Sequence, residues 1–90
     1  MSNRPYRSTP VFDEHSLPQA LLRRHSTKAG VWGRIHVTEG RIRLIILDPP
    51  SEHVIDPAAP MTLLPGQAHQ VELMGPMRMR IDFHDQPPDG

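Results

Sequence analysis

The stretch His25 to Asp48, HSTKAGVWGRIHVTEGRIRLIILD, decides the fold class. Val31, Gly33, Ile35 and Val37 alternate with Trp32, Arg34, His36 and Thr38. After Glu39-Gly40, Ile42, Leu44 and Ile46 fall on one face and Arg41 and Arg43 on the other. A side-chain period of two belongs to a strand with one buried face, and a Gly-bearing break between two such runs predicts a β-hairpin. His25 and Lys28 stand just ahead of the first run, where the chain leaves the loops and joins the sheet, a common place for a ligand.

The same period recurs downstream. His69, Val71 and Leu73 alternate with Gln70 and Glu72, and Met77, Met79, Ile81 and Phe83 alternate with Arg78, Arg80, Asp82 and His84. Between these runs, DPPSEHVIDPAAP (48–60) brackets a short strand at 52–56 with proline clusters. Met61-Thr62-Leu63-Leu64 ends at the turn pair Pro65-Gly66. Upstream, Pro18 opens a helical turn over Gln19–Arg24, with Leu17, Leu21 and Leu22 available to one face. Residues 1–10 read as an extended arm and 85–90 as a disordered tail of a single domain, 1–90. The expected core is Val31, Ile35, Val37, Ile42, Leu44, Ile46, Leu63, Val71, Met79, Ile81 and Phe83. Short strands with almost no helix predict an all-β protein, a small antiparallel barrel or sandwich.

Ninety residues make one core, and ten basic side chains balance ten acidic ones. That balance, with no basic block interleaved with aromatics, argues against nucleic acid and anionic membranes as partners. Cysteine is absent, which excludes disulfides, thiolate metal sites and thiol nucleophiles. No signal-peptide-like or membrane-spanning apolar run occurs, so a cytoplasmic location is expected. A domain this small with open sheet edges predicts self-association, as a homodimer.

The segments RPYRSTPVFDE, HSTKAGVWGRIHVTEG, PGQAHQVE and RIDF, in that order, resemble the cupins. The closer resemblance is to the TehB/YeaR-like family of small cupin-type domains, found alone or fused to tellurite-resistance methyltransferases. It implies a cupin-like antiparallel β-barrel, a double-stranded β-helix or jelly roll, with pairing of protomers and a role in tellurite or oxyanion stress. His69 matches the His of the second cupin motif. Elsewhere the chain departs: His25 and Lys28 stand in the region of the first motif's paired His, Gly33 where its Glu would come, and Leu73 in place of an Asn. The methyltransferase of longer family members is not matched by this chain, so its activity is not expected here.

The candidate ligand-binding residues are therefore His25, Lys28, His69 and Trp32, with Tyr6 as a further wall. A lone inward His is otherwise a core histidine satisfied by a hydrogen bond, and Lys28 otherwise a solvated loop residue. Two imidazoles and an ammonium suit a carboxylate, phosphate or other small oxyanion. A metal would need about three ligands, and His25, His69 and Glu72 are the candidates, with a divalent ion such as zinc as the cofactor. Strict alternation turns Glu72 away from His69, so this set requires a bulge. His15, His36, His53, His84 and Asp82 read as surface residues. Two functions follow: a non-catalytic module binding a small molecule or anion, which is preferred, and a metal-dependent enzyme with a minimal site.

Overall fold

Each alternating run forms a strand in the computed structural model, which describes residues 4–88; the expectations for 1–3 and 89–90 lie outside the described residues. The strands are β1 (Arg7–Ser8), β2 (Phe12–Asp13), β3 (His25–Ser26), β4 (Trp32–Glu39), β5 (Ile42–Leu47), β6 (Pro50–Ile55), β7 (Met61–Leu63), β8 (Ala68–Leu73) and β9 (Arg78–His84). One helical turn, a 3-10 turn over Gln19–Leu22, follows Pro18 as expected. Residues 85–88 carry no strand or helix.

All pairings are antiparallel, in two sheets. The first sheet has the order β1-β9-β4-β7, with β2 also on β9; the second has the order β3-β8-β5-β6. No pairing joins one sheet to the other among the described residues, so the closed barrel is corrected to two facing sheets. Outer strands such as β3 and β7 span only two and three residues, too short to continue a ladder round a corner.

The expected hairpin is also corrected. β4 and β5 both exist but do not pair: β4 lies between β9 and β7, and β5 between β8 and β6. Alternation records which face of a strand is buried, not which strand lies beside it. The segment containing Gly40 is a corner that carries the chain from one sheet to the other. Gly40 has φ +71°, and a Cβ there would collide with the Pro76 carbonyl oxygen. The hairpin within this region is β5–β6, pairing Leu47 with Pro50 across a cis Asp48–Pro49 peptide. Pro50 is tolerated because it opens an edge strand.

The core lies between the sheets, where Ile35, Val37, Leu63, Met77, Met79 and Ile81 meet Ile42, Leu44, Ile46, Ile55 and Val71, with Leu17 also buried. Each aliphatic side chain removed from water here contributes about 1.5–3 kcal/mol. Leu17, Ile55 and Met77 are additions to the expected core. Val31 and Phe83, expected inside, are only half-buried, and both border a cavity.

The supposed arm is structural. Tyr6 N donates to Phe83 O (2.9 Å), Thr9 N to Ile81 O (2.9 Å), and Ile81 N to Thr9 Oγ1 (3.0 Å), so residues 6–9 and β2 line the β9 edge. The outer face of the first sheet is also less wet than its composition suggests. Asp82 is buried there, accepting from Ser8 Oγ (2.7 Å) and Arg80 Nε (3.2 Å), with His36 Nε2 at 3.2 Å. His84 is buried as well, which corrects its reading as a surface residue. Among the described residues no helix is long and apolar enough to cross a membrane.

Candidate functional site

Register brings the two sequence-marked imidazoles together. β3 pairs with β8 so that His25 faces His69 across the ladder, and their rings meet edge to face with centroids 4.1 Å apart. The loop PGQAH reinforces this placement. Leu64-Pro65-Gly66-Gln67 is closed by Gln67 N to Leu64 O (3.2 Å), with Pro before a positive-φ Gly as a type II turn requires. Gly66 N donates to Thr27 O (2.8 Å) and Thr27 N to Gln67 O (3.3 Å), so this turn is fastened to the segment that carries Lys28.

Backbone carbonyls set both tautomers. His25 Nδ1 lies 3.0 Å from Arg23 O and His69 Nδ1 lies 2.8 Å from Gln67 O. A carbonyl oxygen only accepts, so Nδ1 of each ring carries its proton and Nε2 keeps a lone pair while the ring is neutral. Burial pushes the pKa of His69 below the usual imidazole value, the neighbouring His25 adds to this, and the Gln67 carbonyl opposes it.

A cavity of about 310 Å³ opens beside this pair. Its lining includes His25, Ser26, Thr27, Lys28 and His69, together with Tyr6 and Arg7 from the N-terminal segment. Leu21, Val31, Gly33, Leu63, Ile81 and Phe83 form the remainder. Among the described residues no carboxylate borders it. Thr27 is 9% exposed, and its Oγ1 is the one buried side-chain oxygen or nitrogen among the described residues without a hydrogen-bond partner.

The sequence-marked residues thus divide. His25, Lys28 and His69 converge on the cavity, and Tyr6 walls it. Trp32 does not reach it: Gly33 takes the inward position on β4, so Trp32 points to the outer face, opposite His84 in register. Glu72 does not join His69 either. It sits on the opposite face of β8, where its carboxylate meets Arg43 Nη1 at 3.1 Å. The proposed metal set of His25, His69 and Glu72 is therefore not assembled, and no group of three His, Cys, Asp or Glu fit to hold an ion occurs among the described residues.

Arg7 is the lining residue that residue-by-residue reading missed. Its guanidinium lies 5.6 Å from the centre of the Phe83 ring, within cation–π range. A two-residue strand has no periodicity to betray it, and Arg7 reaches the cavity only because β1 pairs with β9.

A model of the TehB-like domain matches residues 7–81. Two Haemophilus influenzae proteins are similar to this chain, each named a probable S-adenosyl-L-methionine-dependent methyltransferase TehB. The one from strain 10810 is 34% identical over 74 residues and the one from strain ATCC 51907 / DSM 11121 / KW20 / Rd is 32% identical, in each case covering 77% of this chain and 26% of the relative. The chain therefore spans about a quarter of the length of these relatives. Among solved structures, TehB from H. influenzae superposes with a TM-score of 0.81 at 27% identity, over 88% of this chain and 30% of that one. A protein from Escherichia coli K12 superposes with a TM-score of 0.84 at 25% identity, over 92% of this chain and 90% of that one.

Proposed function

Because this chain belongs to the TehB-like domain family, we propose that it is a binding module that takes a small anion into the cavity beside His25 and His69. One observation carries the reading. Two cationic side chains, Arg7 and Lys28, border one cavity, and among the described residues of a charge-balanced chain no carboxylate does. The orphaned Thr27 hydroxyl adds a donor that a bound anion would satisfy.

The strand orders support reading the fold as a jelly roll of cupin type. With β1 and β2 counted as one interrupted strand, the first sheet holds the first, eighth, third and sixth strands and the second sheet the second, seventh, fourth and fifth. That is the order produced by two nested Greek keys.

The alternative, a metal-dependent enzyme on His25, His69 and Glu72, fits less well. Two imidazole nitrogens are available, and the third ligand is turned to Arg43. Methyl transfer is stated in the names of relatives of which this chain spans about a quarter.

Titration of the protein with phosphate and tellurite, followed calorimetrically, tests the anion reading. Binding is expected in the wild type and about tenfold weaker in Lys28→Met, the loss of one charge-assisted contact. Equal binding by both proteins, or tighter binding of a divalent metal by Lys28→Met with no anion bound by either, would reject it.

A further inference from the structure

We infer that the ligand of this cavity is an organic monoanion, a carboxylic acid with an apolar body, rather than an inorganic oxyanion. The inference rests on the anion reading above and narrows it. The cavity is polarised from mouth to floor. Lys28 and Arg7 are exposed, whereas the buried lining divides into Thr27 and His69 on the β3–β8 side and an apolar floor of Leu63 (3% exposed), Ile81 (6%) and Gly33 on the first sheet. A carboxylate at the mouth with its carbon skeleton against this floor matches both ends. An inorganic oxyanion, polar on every side, leaves this apolar floor unmatched.

Size and energetics point the same way. About 310 Å³ lies at the lower end of the volumes of sites that hold organic molecules, roughly 300–1,000 Å³. The cations at the mouth are solvated, so each adds about tenfold at most to the binding of an anion. Affinity must then come from the floor, where each methylene withdrawn from water is worth about a fourfold gain.

Gly33 makes the floor. It sits at an inward position of β4, where a Cβ would meet Leu63 and Ile81 side-chain atoms at ordinary contact distances of 3.6–3.7 Å. A side chain is therefore sterically possible there, and its absence leaves the space. Thr27 Oγ1, buried and unpartnered in the same lining, can donate to an oxygen of the ligand.

The test is calorimetric titration of the wild-type chain with acetate, butyrate, hexanoate, inorganic phosphate and 1-hexanol. Affinity is expected to rise about fourfold per methylene from acetate to hexanoate until the cavity is full. Hexanoate should exceed both phosphate and 1-hexanol. Gly33→Leu, which fills the floor, should abolish the gain along the series while phosphate binding persists, and Gly33→Ala, which fits the existing space, should reduce it partly. Affinity that is flat along the series, or phosphate bound as tightly as hexanoate, overturns this inference and leaves the anion reading standing. Binding of 1-hexanol as tight as that of hexanoate, or no anion bound at all, overturns both.

Discussion

His69 is 3% exposed yet borders the cavity, so its protonation state is tied both to folding and to whatever the cavity holds. Burial, with help from His25, lowers its pKa from the unfolded value of about 6.5. Between the folded and unfolded values the unfolded chain binds the extra proton, so stability increases with pH. The contribution is complete above pH ~6.5 and is lost as the pH falls through the folded value. His36 acts in the same direction: burial lowers its pKa first, and Arg80 and Arg34 outweigh the nearby Asp82. Urea midpoints are thus expected to fall between pH 7.5 and 5.5, and His69→Gln should flatten that slope. A wild-type midpoint that is constant over this window would contradict the assignment. Asp82 titrates elsewhere. Burial raises its pKa, but the Ser8 hydroxyl and Arg80 guanidinium bring it net below the usual carboxylate value, so its stabilisation is present above about pH 4 and lost as the pH falls further.

β4 and β5 illustrate how a correct strand assignment can carry a wrong pairing. Both present apolar residues to the same interior, so a hairpin and a corner between sheets have the same alternation. The corner depends on Gly40, whose positive φ and close approach to the Pro76–Met77 backbone leave no room for a side chain. Gly40→Ala is expected to cost about 2 kcal/mol or more, measured by urea denaturation, as strain and displacement add. A variant as stable as wild type would show that the β8–β9 loop yields freely. On the other side of the first sheet, β9 organises the N-terminal segment. Its edge amides and carbonyls pair with Tyr6 to Thr9, and Ser8 is anchored to Asp82. None of this is periodic in sequence, because two-residue strands take their conformation from the strand they join.

The described chain has a radius of gyration of 12.3 Å, close to the ~12 Å of a compact chain of this length. Open edges remain at β6 and β7, and Val54, Leu64 and Leu73 are exposed apolar residues. The N-terminal segment is taken up by β9 within the chain and leaves no free arm among the described residues for pairing of protomers. The open edges and exposed side chains still predict self-association, as a dimer. Sedimentation velocity at micromolar concentration and above should show twice the monomer mass, and a clean monomer would rule the dimer out.

Strand existence, the all-antiparallel β class, most of the core and the inward direction of His69 could be read from residue order, because a period of two is a local property that each strand displays alone. The convergence of His25, Lys28 and His69 was suggested by the PGQAH turn and the start of the first long run, and register then placed it. Everything that depends on which strands are neighbours required the folded chain: the separation of β4 from β5, the edge position of residues 6–9, Arg7 at the cavity mouth, and the burial of Asp82 and His84. Those contacts join residues as far apart in sequence as Tyr6 and Phe83, and side-chain pattern along one strand contains no record of its partner.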